Sequence, residues 1–552
     1  MSASPPSPPP SPPPSPPPAP EGPAKIPWLG VFAVMLGTFI STLNTRFSSF
    51  GLTDIRGAVH AGFDDGAWIT TAQTMAQMMV APIAVWVGGV YGPRRVLLAA
   101  ATCFMIVSAL TPLSTNLREL LVFQFIGGLS SGFFVPLTLA FITRVTPPKY
   151  WAYGLAVYAL NLELSTNISV ALEGFYVDWL SWRWIYWQNV PLALAMAWCL
   201  HHGVARTPPG PDKPRPDFYG FVTGGLGLGL IYAGLDQGNR LDWLHSGLIV
   251  GLLLSGGVLF AGFLVHELRT SHPGVDLRVV ARPPLPALLV LISLLRLSLL
   301  STSFLIPQFL TVVRGYRGLE VGQALVWIAL PQLVIAPLAG FSLRRMDSRF
   351  VASIGFVLVA ISCLMVAYNL TPEWGTDQFV PSAVLQAVGQ SMALSGVFFY
   401  AILHTKPGER LTFGAATQTA RLMGNEIGSA FIVTLNRVRE QTASNLLGLH
   451  VKTGDQAVMQ RLQELTVIAD TRSGDLARSP AKALGILAGQ VRAAATIQAV
   501  EDCYVAVAVI MAVALLVQLA LKPAPPGPAV HKPLLRPRKG SGEAQGLGAA
   551  NG

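Results

Sequence analysis

The sequence predicts an all-α polytopic membrane protein with about fourteen transmembrane helices. Long, mostly apolar stretches recur along the chain, and each is close to the roughly 20 residues that a helix needs to cross the hydrocarbon core. The connections between these stretches are alternately rich and poor in Arg and Lys. The composition agrees with this class, because 52% of the residues are hydrophobic, only 12% are charged and the mean hydropathy is +0.51.

Each predicted span is an apolar stretch that ends where charged or turn-forming residues begin. In chain order the spans are 28–50, 68–87, 96–113, 120–142, 151–173, 184–201, 218–235, 246–268, 288–310, 321–341, 351–370, 380–403, 413–433 and 500–521.

Basic residues follow every even-numbered span. They are Arg94 and Arg95; Arg144 and Lys149; Arg206, Lys213 and Arg215; Arg269, Arg278 and Arg282; Arg344, Arg345 and Arg349; and Lys406 and Arg410. The odd-numbered connections instead place single basic residues among acids, as with Arg240 between Asp236 and Asp242. The positive-inside rule therefore puts the even connections and both termini in the cytoplasm. The net charge of +10 then reflects topology, and the dispersed basic residues do not form a nucleic-acid-binding face.

Three segments outside the spans have their own character. Residues 1–25 are rich in Pro and Ser and predict a disordered cytoplasmic tail, and the basic tail 522–552 predicts the same. The connection 437–498, on the non-cytoplasmic side, is too polar to span. Apolar residues at helical spacing predict two or so amphipathic helices there, one with Val458, Leu462 and Leu465 and one with Leu484, Leu487 and Val491.

Polar and ionisable residues inside the spans are the candidate functional residues, because such groups are costly in lipid and usually face a cavity or the bundle interior. They are Asn44 and Arg46 in span 1, Gln124 in span 4, Asn161, Glu163 and Asn167 in span 5, Arg296 in span 9, Gln386 and Gln390 in span 12, and Arg421, Asn425 and Glu426 in span 13. Two interpretations stay open for the glutamines, which either contact substrate or join helices by hydrogen bonds. Glu163 either carries a proton or only neutralises Arg46.

Several motifs carry a family resemblance. Residues 181–191, SWRWIYWQNVP, resemble the W-R-W-I-F-x-x-N-V-P signature of the EmrB/QacA-type drug:proton antiporters, the fourteen-span branch of the major facilitator superfamily. Residues 66–69 (GAWI), 408–410 (GER) and 421–428 (RLMGNEIG) are similar to further motifs of that family. The layout resembles that of EmrB in particular, including the long loop before the last span.

The resemblance implies the major facilitator fold. Two six-helix bundles, 26–205 and 285–521, would enclose a site near the membrane midplane, and the linker 206–284 would hold two inserted helices. It also implies proton-driven multidrug efflux across a bacterial inner membrane with no cofactor besides the proton gradient. A periplasmic adaptor of the membrane fusion type and an outer-membrane channel would be the partners.

The chain departs from the family pattern at the positions that couple protons. Asn44 stands where a carboxylate is usual, Gly89 replaces an Asp in the loop after span 2, and Gln124 replaces an Arg. Glu163 and Glu426 are additions, so they are the predicted proton-coupling residues. The other polar residues of the spans are predicted to line the substrate cavity. The remaining loop residues Gly88, Gly92, Arg94 and Arg95 are predicted to form the gating loop.

Two rival functions stay open. Three arginines in the spans favour export of one endogenous anionic metabolite or siderophore, whereas the eroded motifs favour a membrane scaffold or sensor that transports nothing. An enzyme is not expected, because the sequence holds no nucleophile–base set, metal-ligand cluster or phosphate-binding loop.

Overall fold

The computed structural model describes residues 28–50, 52–204, 216–270, 273–452, 454–473 and 479–523. The predicted tail 1–25 lies outside these ranges. So do nearly all of the predicted tail 522–552 and the basic residues Arg206, Lys213 and Arg215.

The described residues are helical throughout, and fourteen long helices follow one another. They are α1 Trp28–Phe50, α2 Trp68–Tyr91, α3 Pro93–Leu110, α4 Leu117–Val145, α5 Trp151–Trp179, α6 Asn189–Gly203, α7 Phe218–Gly238, α8 Gly247–Arg269, α9 Leu285–Val312, α10 Gly318–Arg345, α11 Ser348–Asn369, α12 Thr376–Leu403, α13 Arg410–Gly448 and α14 Ser479–Ala520. A separate helix, Gln456–Ser473, lies between α13 and α14 and is named the outer-loop helix. Within the described ranges no β-strand occurs.

Twelve helices of the described chain are long and apolar enough to cross a membrane. The two others among the fourteen are α6, which has only 15 residues, and α13, whose membrane stretch carries Arg421 and Glu426. Both nevertheless pack inside the bundle, α6 against α1 and α3 and α13 against α9 and α14. The predicted all-α polytopic class is confirmed.

Local sequence explains where several helices begin, break and end. Gly92 ends α2 with φ of +79°, a conformation that glycine adopts without strain, and Pro93 then occupies the first turn of α3. The Asp347 carboxylate accepts a hydrogen bond from the backbone amide of Arg349 at 2.9 Å and so caps α11. Pro331 in α10 removes a backbone hydrogen bond in the middle of the membrane, beside a buried glutamine.

The two predicted bundles touch most extensively along α5 and α10, where glycines allow the backbones to approach closely. A Cβ added at Gly174 would lie 2.7 Å from the Leu319 backbone nitrogen, and one at Gly340 would lie 2.7 Å from a ring carbon of Tyr153. The first contact lies at the end of the bundle that we name the outer end and the second at the opposite, inner end. Any site between the bundles is therefore closed at both ends along this seam.

The inserted helices α7 and α8 lie on one side of the bundle. Helix α7 packs against both α2 and α13, whereas α8 packs mainly against α7. Only 17% of the apolar stretch of α8 is buried, so most of its surface is free to face lipid. Helix α7 thus has partners in both predicted bundles.

The long connection before the last span differs from its prediction in one respect. Val458, Leu462 and Leu465 lie in the outer-loop helix, which packs on α14, and this amphipathic helix is confirmed. The second predicted helix is wrong as a separate element, because Leu484 lies inside α14, which begins at Ser479. No further proline occurs between Pro480 and Ala520, so the helix continues without interruption into the membrane span.

Candidate functional site

A buried polar cluster joins both predicted bundles at mid-height. The Glu163 carboxylate of α5 accepts hydrogen bonds from Ser391 Oγ of α12 at 3.2 Å and from Gln332 Nε2 of α10 at 3.5 Å. Gln332 also donates to Gln390 Oε1 at 3.4 Å and accepts from Asn167 Nδ2 at 3.4 Å. Each of these five side chains is at most 2% exposed. Glu163 is therefore held by hydroxyl and amide groups from the opposite bundle.

Arg296 of α9 supplies the positive charge that interacts with Glu163. Its side chain is only 4% exposed. Among the residues that the structure describes, none accepts a hydrogen bond from its Nε or Nη2. A buried guanidinium with unused donors is costly unless another group occupies those donors. The position is suited to a negatively charged or strongly accepting ligand.

The predicted pairing of Glu163 with Arg46 is wrong, although α1 and α5 do pack together as expected. Asn161 Nδ2 donates to the Met35 carbonyl at 3.4 Å, which sets the relative height of the two helices. Counted from this contact, Arg46 lies more residues toward the outer end of α1 than Glu163 does on α5. At 1.5 Å per residue this places Arg46 about 13 Å closer to the outer end.

Arg421 forms the second basic group near Arg296. Its Nη2 donates to Gln418 Oε1 at 2.9 Å, and its Nη1 donates to Thr42 Oγ1 of α1 at 3.2 Å. Tyr158 of α5 is fully buried and interacts electrostatically with both arginines. Its hydroxyl has no hydrogen-bond partner within the described ranges. The two arginines and this hydroxyl together form a positively charged surface between the bundles.

A second carboxylate cluster lies nearer the outer end. Arg46 Nη2 donates to Asn425 Oδ1 of α13 at 2.5 Å and interacts electrostatically with Glu426. The Tyr232 hydroxyl of α7 donates to the Glu426 carboxylate, and Asp236 of α7 is a further negative charge beside it. Glu426 therefore contacts an inserted helix as well as the predicted N-terminal bundle.

Two electrostatic interactions between a carboxylate and an arginine cross between the predicted bundles. Glu163 of the N-terminal bundle interacts with Arg296 of the C-terminal bundle, and Glu426 of the C-terminal bundle interacts with Arg46 of the N-terminal bundle. Neutralising either carboxylate would remove an attraction between the bundles and leave a buried arginine uncompensated. Protonation of these groups is thus able to change the relative stability of closed and open arrangements.

Several predicted site residues instead join helices within the described structure. Asn44 Oδ1 accepts from Asn189 Nδ2 at 3.1 Å, and Gln124 Nε2 donates to the Tyr186 hydroxyl at 3.0 Å. The two partners, Asn189 and Tyr186, both lie in the 181–191 signature. The replacements at positions 44 and 124 are therefore matched to that motif by hydrogen bonds.

The two glutamines of α12 have different surroundings. Gln386 Nε2 donates to Ser301 Oγ at 2.5 Å, and its Oε1 accepts from Ser362 Oγ at 2.9 Å. Ser301 begins a π-helical segment of α9, so these bonds join three helices. Gln390 faces the Glu163 cluster, and its Nε2 has no partner in the described part of the chain.

The predicted gating loop lies at the inner end. A Cβ added at Gly88 would collide with Leu137 of α4 and would lie 3.5 Å from the Leu411 side chain of α13. This glycine therefore permits close packing of α2, α4 and α13. Arg94 Nη2 donates to the His201 carbonyl at 2.9 Å, which ties the loop to the end of α6. Gly92 makes the turn, and Arg95 lies next to Arg94 at the start of α3.

Five residues of the two clusters were missed in the sequence: Tyr158, Tyr232, Asp236, Gln332 and Ser391. Gln332 had a usable signal, because it is a lone amide beside Pro331 in an otherwise apolar span. Asp236 was assigned to a loop, since it lies at the end of α7. The tyrosines counted as apolar, and only the fold brings their hydroxyls to the charged groups.

Comparisons with known proteins agree with this architecture. The family model described as Major Facilitator Superfamily matches residues 34–429. The fatty acid resistance protein FarB of Neisseria gonorrhoeae is 24% identical over 436 residues, which cover 78% of this chain and 84% of FarB. The multidrug export protein EmrB of Escherichia coli K12 is 25% identical over 454 residues, covering 81% and 88%.

Solved structures support the fold alone, because the identities are low. The human organic anion transporter MFSD10 aligns with a TM-score of 0.55 at 13% identity and covers 90% of this chain and 100% of its own. The proton:xylose symporter XylE aligns with a TM-score of 0.53 at 13% identity, covering 75% and 89%. The family model and the sequence relatives confirm the predicted resemblance to the EmrB type, and the solved structures agree with the major facilitator fold.

Proposed function

Because the chain belongs to the Major Facilitator Superfamily, we propose that it is a proton-coupled exporter of small amphiphilic molecules. Membrane transport follows from the family and from the membrane-spanning fold. The observation that carries the finer proposal is the pair of buried carboxylates, Glu163 and Glu426, each with its arginine in the opposite bundle.

The substrate class is proposed from the relatives and from the surroundings of the site. The relatives are named for multidrug export and for fatty acid resistance. Beside the polar cluster, the buried Phe398 ring contacts the Tyr158 ring with 5.2 Å between the ring centroids. An apolar environment with a few fixed polar groups suits amphiphilic molecules of varied shape.

The proton-coupling step is proposed to occur at Glu163. When Glu163 is ionised it attracts Arg296 across the closed seam, and a bound proton removes that attraction. Exchange follows when substrate binds the form with ionised Glu163 and the protonated form releases it, so that substrate and proton occupy the site in turn.

The location and partners are proposed from the relatives. We place the protein in a bacterial inner membrane with both termini in the cytoplasm, as the basic connections predict. A periplasmic adaptor and an outer-membrane channel are proposed partners. The outer-loop helix supports this, because its Val467 exposes an apolar side chain, as does Leu484 near the start of α14.

The test uses purified protein in proteoliposomes loaded with a fluorescent amphiphile. An imposed pH gradient should drive accumulation, and collapse of the gradient should abolish it while exchange of labelled for unlabelled substrate continues. Transport that is insensitive to the gradient would contradict proton coupling. Failure of both driven transport and exchange across a broad substrate panel would favour the scaffold or sensor alternative.

One observation favours the second candidate, export of a specific anionic compound. Arg46, Arg296 and Arg421 are three basic groups at one interface, and two donors of Arg296 have no partner among the described residues. Competition between organic acids and lipophilic cations separates the candidates. A multidrug exporter is inhibited by both classes, whereas an anion exporter is inhibited by the acids alone and loses that inhibition in Arg296→Gln.

A further inference from the structure

The end of inserted helix α7 is bonded to both predicted bundles at once. On one side, Asp236 accepts a hydrogen bond from Thr71 of α2, and Gln237 Nε2 donates to the same Thr71 Oγ1 at 2.5 Å. On the other side, Asn239 Nδ2 donates to the Ala430 carbonyl of α13 at 3.2 Å, and Thr434 Oγ1 donates to Asn239 Oδ1 at 2.6 Å. Helix α7 therefore connects α2 to α13 at the outer end.

Apolar packing holds this connection in place. Tyr232 and Leu228 of α7 form one buried cluster with Met78 of α2 and Leu422 of α13. Tyr232 is 6% exposed, and its hydroxyl reaches the Glu426 carboxylate. The ring of Tyr232 is thus fixed by packing, and its hydroxyl fixes Glu426.

The charges of this cluster do not balance when every group is ionised. Glu426 and Asp236 are two negative charges, and the partly buried Arg46 is the positive charge that interacts with Glu426. Arg240 also interacts with Asp236, but its Nη1 already pairs with the exposed Asp64 at 2.6 Å. One additional proton would bring the buried cluster to neutrality.

The other elements around Glu426 do not supply the missing charge. Helix α2 contributes the neutral Thr71 and Thr74. Helix α9 contributes Arg296, which interacts with Arg46 and with Glu163. On α14, Asp502 pairs with Arg439 at 2.5 Å, further along α13.

We propose that Asp236 and Glu426 share a single proton, which makes Asp236 of the inserted helix a second proton-coupling carboxylate. Asp236 accepts hydrogen bonds from Thr71 and Gln237, and Glu426 accepts one from Tyr232, so each carboxylate has donors for its charged form while the other holds the proton. The proton comes from the aqueous phase at the outer end. Its loss leaves two carboxylates that repel each other, with Arg46 as the interacting arginine of Glu426, and drives α7 and α13 apart.

This mechanism gives the inserted helix a role in transport. Separation of α7 from α13 breaks the connection at Asn239 and opens the outer end, while rebinding of a proton closes it. The inference rests on the proposed proton coupling, but proton sharing itself is measurable without transport.

The test is infrared titration of the purified protein, following the carbonyl stretch of protonated carboxyl groups between acid and alkaline pH. The variants are Asp236→Asn, Glu426→Gln and the double variant. The matched control is Asp242→Asn in the connection that follows α7, where the aspartate is 73% exposed and its φ of +61° also suits asparagine.

A shared proton predicts that each single variant removes the same neutral-pH carboxyl signal and that the double variant removes no more. In each single variant the remaining carboxylate is left beside its own arginine and ionises. The control should titrate like the wild type. A neutral-pH signal that is lost in Glu426→Gln but persists in Asp236→Asn would overturn the proposal.

Transport measurements then separate the two proposals. Asp236→Asn should transport one proton fewer per cycle, so substrate accumulation should fall about tenfold per pH unit of gradient. Exchange without a gradient should be retained. If the wild type shows no gradient-driven transport, the proposed function fails and the infrared result still decides whether the proton is shared.

Discussion

Replacing Glu163 by glutamine tests the coupling role of the central cluster. The amide keeps an oxygen for Ser391 and Gln332 but removes the charge that compensates Arg296. Loss of the charge that interacts with a buried arginine should destabilise the fold, with about 3–5 kcal/mol, the cost for a directly contacting pair, as the upper bound. The double variant Glu163→Gln/Arg296→Gln removes both charges and should recover most of that loss.

The transport effect of this variant follows from the energy of one proton. A proton moving down one pH unit supplies about 1.4 kcal/mol, which supports about a tenfold substrate gradient. Glu163→Gln should therefore lose about tenfold accumulation per pH unit and keep exchange of substrate for substrate.

The assay compares accumulation at several imposed pH gradients in proteoliposomes that contain equal amounts of folded protein. The control is Glu373→Gln, the same substitution at an exposed glutamate between α11 and α12. Full gradient-driven accumulation in Glu163→Gln would refute the reasoning. It would make Glu163 a structural partner of Arg296 and leave Glu426 as the leading coupling residue.

Three further predictions concern other parts of the chain. Gly174→Val should prevent closure of the outer end, because overpacking costs about 1–3 kcal/mol, and should therefore slow substrate exchange. Gly257→Val on the open face of α8 is the control and should not slow exchange, and unchanged exchange in Gly174→Val would contradict the closed seam. Burial raises the pKa of Glu409, but the Lys406 backbone amide and the Arg282 guanidinium outweigh it and hold that pKa below its ordinary value. The ionised Glu409 carboxylate, paired with Arg282, therefore stabilises the inner end above pH 4.5, and this stabilisation is lost as the pH falls through the lowered pKa. The unfolding midpoints of the wild type and Glu409→Gln should differ at neutral pH and converge in acid. Replacing residues 449–478 with a short Gly/Ser linker should leave proteoliposome transport intact and abolish resistance in cells, and normal efflux from cells would exclude an adaptor role.

The helical class could be predicted because apolar length and loop charge are local properties of the sequence. The short α6 and the polar α13 were predicted as spans from their apolar residues, and the resulting even count agreed with the alternation of basic connections. The bundle boundaries at 205, 284 and 285 stay predictions. The prediction of a second, separate helix in 437–498 was wrong. Hydrophobic spacing indicates that these residues are helical, but it does not indicate that the helix continues into the last span, which follows from the lack of proline in residues 481–520.

The site could be predicted only as a set of polar residues. Glu163, Arg296 and Glu426 were identified because charge inside a span is rare. Their pairing was not, because it depends on the relative height of α1 and α5 and on which helices of the other bundle face them. Asp236 and Tyr232 join the site only because α7 packs between α2 and α13, and these helices are far apart in the sequence.

The most direct test of the account measures proton movement together with substrate movement. Proteoliposomes holding the wild-type protein and an internal pH indicator are given an outward gradient of an amphiphilic organic acid, with no pH gradient imposed. The account predicts that substrate flux drives proton flux in the opposite direction, and that Glu163→Gln uncouples the two while exchange continues. Substrate flux with no accompanying proton movement in the wild type would contradict it.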